Sequence, residues 1–184
     1  MSEMFGSEQR PFYNSARSIE LEPIAQDVYT DFVKGHFQHA GKDITNEAIG
    51  FAYSTFNGVT LYNQQVMNDA FNATPVGECC DTDTIRKLIE DLIQEGGKRQ
   101  KEILQFVTDQ QKAVLYAILT DEPVKSITSG AFTQRHKLKS PSATQSAVKT
   151  LLKMDLVTRK EGFYSISDPL MDLWLKHSVL NQKL

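Results

Sequence analysis

The order of helix and strand signals in residues 108–175 constrains the fold of this chain more than any other feature. Thr108 and Gln111 have the spacing of a capping box and precede an apolar stretch, so a helix is predicted to begin there. A second helix is expected near residues 127–136. A third should begin at residues 140–142, Ser-Pro-Ser, because serine caps helices well and proline suits the first helical position.

Two short strands are predicted after these three helices. Residues 156–159 and 163–166 have strand character, and the segment Lys160-Glu161-Gly162 between them suits a tight turn. A last helix should follow Asp168-Pro169, with the aspartate as its N-cap and Trp174 as a core anchor. Three helices followed by a β-hairpin is the order of a winged-helix domain, in which the third helix is the recognition helix and the hairpin is the wing.

The first half of the chain is predicted to be helical from residue 26 onwards. Apolar residues recur at helical spacing in four segments, which begin near residues 26, 45, 60 and 81, and Thr45 is the expected N-cap of the second. His36 falls on the apolar face of the first segment, so it is expected to be a core histidine. Gly96-Gly97 is expected to interrupt the fourth helix, and we place a domain boundary at this pair.

The predicted fold class is therefore mainly α with a small β-hairpin. A helical bundle is expected at residues 25–97 and a winged-helix domain at residues 98–184. Residues 1–24 lack a helical period, and their one signal is a short strand at residues 18–22. Residues 1–24 are expected to form the edge of a larger structure.

The two halves of the chain differ in the sign of their net charge. Residues 1–97 contain 6 Lys/Arg and 15 Asp/Glu, a net charge of −9, whereas residues 98–184 contain 14 Lys/Arg and 8 Asp/Glu, a net charge of +6. Such asymmetry suggests two units that face different partners.

Several motifs, taken in order, resemble the C-terminal part of archaeal-type P-loop ATPases of the AAA/STAND group, which are also common in Bacteroides. The motifs lie near both ends of the chain and in between, so the resemblance covers nearly all of it. They are Met4-Phe5, Arg10-Pro11-Phe12-Tyr13, residues 19–24 (Ile-Glu-Leu-Glu-Pro-Ile), Thr108-x-x-Gln111-Lys112, Ser140-Pro141-Ser142 and the closing pattern from Tyr164 through Asp168-Pro169 to Trp174-Leu175.

This resemblance implies a layout and some nucleotide contacts. Residues 1–24 would be the last piece of a nucleotide-binding core, residues 25–97 a helical lid, and residues 98–184 a winged helix that relays the nucleotide state or contacts a partner. Gly58 and Thr60 occupy the place of a Gly-x-Pro motif near the nucleotide in relatives, with Thr60 in the position of the proline. Arg17 occupies the approximate place of an arginine near the nucleotide. ATP and magnesium are implied for full-length relatives.

The sequence itself predicts no catalytic machinery. None of the ten glycines begins a Gly-x-x-x-x-Gly-Lys-Ser/Thr run, whose backbone N–H groups would cradle phosphates, and no apolar strand ends in an acidic pair that would hold magnesium. We therefore expect neither ATP hydrolysis by that mechanism nor a cofactor in this chain, which we interpret as a fragment, a truncated form or a degenerate relative.

Basic residues on the presumed recognition helix and wing are the candidate binding site. Residues 135–160 include seven Lys/Arg and a single acid, Asp155, and this excess suits contacts with DNA phosphates. Gln145 could also contact a base edge. The alternative is a solvated face on a module that binds another protein or the ATPase core. The candidate DNA-binding residues are Gln145, Lys149 and Lys153 on the helix, Arg135, Lys137 and Lys139 before it, and Arg159 and Lys160 at the wing.

Other features are predicted to have no special chemistry. The adjacent Cys79 and Cys80 are expected to be reduced, and together with His36 and His39 they make an unsuitable zinc site, because two adjacent cysteines chelate one ion poorly. The aromatic residues of the bundle are expected in the core. No apolar run approaches the ~20 residues that span a bilayer, and the N-terminus has no secretory signal. We therefore expect a cytoplasmic location and no membrane partner.

Overall fold

The computed structural model describes residues 22–182 and 184 as a mainly helical protein with two small sheets. Residues 1–21, which include Arg17 and most of the predicted strand at residues 18–22, lie outside the described residues. In chain order the elements are α1 (Gln26–His39), β1 (Asp43–Ile44), α2 (Asn46–Thr55), α3 (Thr60–Ala73), β2 (Cys79–Cys80), α4 (Thr82–Gln105), α5 (Asp109–Asp121), α6 (Gly130–Arg135), α7 (Pro141–Lys153), β3 (Val157–Lys160), β4 (Phe163–Ile166) and α8 (Pro169–Leu180).

Local signals explain some of the ends of the bundle helices. The Thr45 side chain accepts a hydrogen bond of 3.1 Å from the Ala48 amide and caps α2, as predicted. Gly41, with φ +69°, follows the end of α1, and Gly58, with φ +73°, lies between α2 and α3. Both backbones are in the left-handed region, which glycine adopts without steric cost. The parallel pair β1–β2, in which Ile44 lies opposite Cys80, was not predicted.

The prediction that Gly96-Gly97 interrupts a helix is wrong, because α4 continues without a break from Thr82 to Gln105. Both glycines lie where α8 packs on α4: a Cβ on Gly96 would meet Leu170 Cδ2 at 3.2 Å, and one on Gly97 would meet Trp174 Nε1 at 2.9 Å. The pair therefore provides room for a crossing helix. The proposed division at residues 97/98 stays a prediction, but the place chosen for it falls inside one helix with a core that is continuous on both sides.

The second half follows the predicted order of three helices and a hairpin. Thr108 and Gln111 form the expected capping box of α5, and β3 pairs with β4 in antiparallel register. Glu161 and Gly162 both have positive φ, as a two-residue type I′ turn requires. Val124 adds one bridge to Tyr164 on the free side of β4. These elements form a winged helix. The single bridge at Val124 occupies the place of a third strand beside the hairpin.

Two further predictions are wrong in detail. His36 is not a core histidine: it is exposed, and its ring packs edge-on against Phe32, which is itself 53% exposed. The reason is that the buried stripe of α1 is narrow, since Tyr29, Val33 and Phe37 alone occupy it. The helix expected near residues 127–136 is shorter, α6 at Gly130–Arg135, because residues 127 and 128 lie in a turn closed by a hydrogen bond of 3.0 Å from the Ser129 amide to the Ser126 carbonyl, and Ser129 then caps the helix.

A partly buried cluster of charges joins α5, α8 and the wing. Lys176 Nζ lies 2.8 Å from Glu122 Oε1 and 2.7 Å from Asp172 Oδ2. The other Glu122 carboxylate oxygen accepts a hydrogen bond of 3.0 Å from the Ile166 amide of β4. Burial, reinforced by the neighbouring Glu122 carboxyl, raises the pKa of Asp172 to about 7.

This raised pKa predicts a pH-dependent stability. Between about pH 4 and about pH 7 the folded chain retains a proton on Asp172 that the unfolded chain releases, so the free energy of unfolding should fall as the pH rises. Asp172→Asn removes this titration. The difference in unfolding free energy between variant and wild type should therefore change by about 1–4 kcal/mol across the window, measured by urea unfolding at each pH. A difference that stays constant would contradict the raised pKa.

Candidate nucleic-acid interface

Helix α7 is positioned as a recognition helix by its cap and its buried stripe. The Ser140 side chain accepts a hydrogen bond of 3.2 Å from the Ala143 amide, and Pro141 occupies the first helical position, as predicted. The buried face packs against α5 and β3 and leaves the opposite face to solvent. The buried residues of α7 are Thr144, Ala147, Val148 and Leu151.

The three candidate residues on α7 form one exposed stripe. Gln145, Lys149 and Lys153 are all exposed and follow one another at intervals of four residues, so they project from the same side of the helix. Neither lysine forms an ion pair with any described residue. Their charges are therefore free to contact an anionic partner.

The basic candidates that precede α7 differ in whether their charge is already paired with an acid. Arg135 is exposed, but its guanidinium lies 2.8 Å from Asp121 Oδ2, and His136 Nε2 lies 2.9 Å from the same oxygen. The hydrogen bond with His136 and the nearby Arg135 hold the pKa of Asp121 below its usual value. Arg135 is thus partly neutralised, whereas Lys137 and Lys139, in the turn between α6 and α7, are exposed and unpaired among the described residues.

Two basic residues extend the site onto the wing. Arg159 and Lys160 are both exposed on β3, and the Arg159 guanidinium lies over the Tyr164 ring at 5.2 Å. This stacking holds the guanidinium near the strand while its charge stays accessible. The exposed Glu161 in the adjacent turn lowers the local charge excess.

The sequence did not indicate that Lys125 is one of the cations of the wing. Its ammonium group lies 5.3 Å from the centre of the Phe163 ring, and its Cε would be 3.8 Å from a Cβ on Gly162. Lys125 comes here because its neighbour Val124 pairs with Tyr164 of β4. The segment around Pro123 has no strand signal in the sequence, so only the fold brings Lys125 beside residues that lie some forty positions later.

Gly58 and Thr60, which the resemblance assigns near a nucleotide, lie on the bundle, apart from the basic residues. Gly58 is buried, and a Cβ there would meet the Tyr53 hydroxyl at 2.8 Å and Pro23 Cβ at 2.9 Å, so packing alone accounts for a glycine. Thr60 is exposed at the first position of α3. Arg17, as noted, is outside the described residues.

The two cysteines belong to no cluster of metal-ligating side chains among the described residues. Cys79 is exposed and Cys80 is buried in β2, where burial raises the pKa of the Cys80 thiol. Within residues 22–182 and 184, no three His, Cys, Asp or Glu side chains converge as metal ligands.

In the same residues, no helix combines the length and the apolar character that crossing a membrane requires.

Comparisons with known proteins support the fold. Across 92% of this chain, the structure is similar to the Walker-type ATPase PABY2304 of Pyrococcus abyssi, with a TM-score of 0.59 and 16% sequence identity. This chain spans 47% of that ATPase chain. A search of curated proteins by sequence finds no match, and no finding supports the narrower resemblance to STAND or Bacteroides proteins. Residues 99–177 match the family model described as "Probable winged helix domain", in agreement with the observed order of three helices and a hairpin.

Proposed function

We propose that this chain is a non-catalytic C-terminal module of an ATPase-like protein, and that its winged helix binds duplex DNA. The binding surface, which we call the basic face, consists of Gln145 and the cations Lys125, Lys137, Lys139, Lys149, Lys153, Arg159 and Lys160. The single observation that carries the proposal is the exposed and unpaired pair Lys149 and Lys153 on the outer side of α7, next to the wing.

The physical argument rests on phosphate contacts. Cations that neutralise DNA phosphates release condensed counterions, and this release supplies most of the affinity for DNA of any sequence. The basic face has seven cations without an ion pair among the described residues, against the two exposed acids Asp155 and Glu161. Arg135, which pairs with Asp121, is expected to contribute less than these seven. Gln145, the one neutral member, could donate to and accept from a base edge.

Salt dependence is the sharpest test of this proposal. If four to six cations of the basic face contact phosphates, a plot of log K against log salt should have a slope of roughly −4 to −5. Fluorescence anisotropy with a labelled duplex of about 20 base pairs, between about 50 and 200 mM salt, measures this slope. Absence of binding at the lowest salt concentration, or a slope near zero, would remove DNA from the proposal.

The second candidate function is a protein-interaction module that couples nucleotide state to a partner. Its support is that α4 is one continuous helix shared by the two halves and that α8 packs against it. A change in the position of the bundle would therefore move the winged helix with it. A correctly folded chain that binds no duplex DNA would favour this candidate.

We further propose that the chain alone does not bind or hydrolyse ATP. The support is the sequence, which has no phosphate-cradling glycine loop followed by lysine. ATP and magnesium are expected only in full-length relatives. Calorimetry with ATP and magnesium tests the statement, and tight binding to this chain would contradict it.

A further inference from the structure

The tip of the wing presents an aromatic ring that does not belong to the core. Phe163, the first residue of β4, is 40% exposed, and it does not pack against the hydrophobic core of the described residues. Its neighbour Tyr164 does pack there, as a partly buried side chain. Within the described part of the chain, no other aromatic ring stacks on Phe163. Burial therefore does not account for a phenyl ring at this position.

Two cations border the Phe163 ring. Lys160 lies directly opposite Phe163 in the antiparallel pair, so both side chains project from the same face of the hairpin. The Lys125 ammonium group lies 5.3 Å from the centre of the ring. Both lysines are exposed, and neither forms an ion pair with a described acid. We call these three residues, Lys125, Lys160 and Phe163, the wing platform.

An exposed aromatic ring beside cations has the chemistry of a base-stacking site. Proteins that bind single-stranded DNA combine cations that contact the backbone with aromatic side chains on which bases stack. In a duplex the interior bases are already stacked, and inserting a side chain between them costs unstacking energy. An unpaired base has no such cost, because it is already free of its partner. The wing platform therefore fits an unpaired base better than a base pair.

We propose that the wing platform stacks on an unpaired base, so that the basic face prefers DNA at a junction between duplex and single strand. Lys149 and Lys153 of α7 would contact phosphates of the duplex, and the Phe163 ring would contact the first unpaired base. The Lys125 side chain has a flexible stem, so its ammonium group can move from the ring to a phosphate of the single strand. This inference rests on the proposed function, because it names the form of DNA that the same surface binds.

Three DNAs of related sequence test the proposal with the full chain. They are a plain duplex of about 20 base pairs, the same duplex with a single-stranded overhang of about five nucleotides in either polarity, and the isolated longer strand. Fluorescence anisotropy at one low salt concentration measures the three affinities. The overhang duplex should bind about tenfold more tightly than the plain duplex, the ratio expected for one stacked base, and more tightly than the isolated strand.

Variants of exposed phenylalanines locate the effect. Phe163→Leu keeps an apolar side chain but removes the aromatic face, so the preference for the overhang should fall to about twofold, the part due to the added phosphates, with the affinity for the plain duplex unchanged. Phe106→Leu makes the same change at a side chain that is 80% exposed at the end of α4, outside the basic face, and should have no effect. Thermal unfolding checks that each variant folds.

A tryptophan at the wing reports stacking directly. Phe163→Trp should retain the preference, and its indole fluorescence should be quenched by the overhang duplex more than by the plain duplex. Trp174 is only 7% exposed, so it should contribute a constant background to this measurement.

The possible failures of the two proposals are distinguishable. Binding to the plain duplex without a preference for the overhang rejects the wing platform and leaves DNA binding by the basic face in place, whereas absence of binding to every DNA rejects both. If Phe163→Leu weakens the plain and the overhang duplex equally, the ring acts on paired DNA. If the isolated strand binds as tightly as the overhang duplex, no junction is needed. Either result overturns the inference.

Discussion

Reversing two charges on α7, Lys149→Glu with Lys153→Glu, is expected to lower the affinity for duplex DNA roughly 100-fold at low salt. The physical reason is that both ammonium groups are exposed on the same side of the helix and pair with no described acid, so each is free to neutralise a phosphate. The slope of log K against log salt should become less steep by about 2, one for each lost contact. The measurement is fluorescence anisotropy over a range of salt concentrations.

A matched variant separates local contact from net charge. Lys98→Glu with Lys101→Glu makes the same change in net charge at two exposed positions of α4, outside the basic face, and should alter the affinity only slightly. Because an acid near the end of α7 opposes the helix dipole, the neutral pair Lys149→Gln with Lys153→Gln should also be tested. If the α4 and α7 variants weaken binding equally, α7 is not the contact surface.

Gly97→Leu is expected to lower the free energy of unfolding by about 3 kcal/mol. A Cβ at this position would already lie 2.9 Å from Trp174 Nε1, a ring atom of a buried side chain, and leucine adds three further carbons to the same space. Leucine is a better helix former than glycine by roughly 1 kcal/mol, which offsets only part of the overlap. Urea denaturation measures the loss.

Another helical glycine, Gly35, provides the control. Gly35 in α1 has no atom within 4 Å of a Cβ built on it, so Gly35→Ala should raise the free energy of unfolding by about 0.5–1 kcal/mol through helix propensity alone. Trp174→Phe in the Gly97→Leu background should recover part of the loss, because the smaller ring withdraws from the contact. Stabilisation by Gly97→Leu would show that α8 does not pack on α4 in this way.

Local signals were sufficient to predict most element boundaries. Thr45, Thr108, Ser140 and Asp168 each cap the helix that the sequence assigned to them. Such signals can be read from sequence because a cap involves atoms only two or three residues apart. The order of three helices and a hairpin, and hence the winged helix, followed from them.

The candidate site was only partly predictable. The periodicity of α7 correctly placed Gln145, Lys149 and Lys153 on its exposed side. The periodicity did not indicate that Arg135 forms an ion pair with Asp121, because these two side chains come from different helices. Whether any of these residues binds DNA stays a prediction.

The sequence by itself determined the caps, the turn at Glu161-Gly162 and the exposed face of α7, because these depend on short-range geometry and on the period of a helix. Only the tertiary structure decided the course of α4 through Gly96-Gly97, since a glycine pair breaks a helix in isolation but accommodates a close helix when Trp174 and Leu170 pack against it.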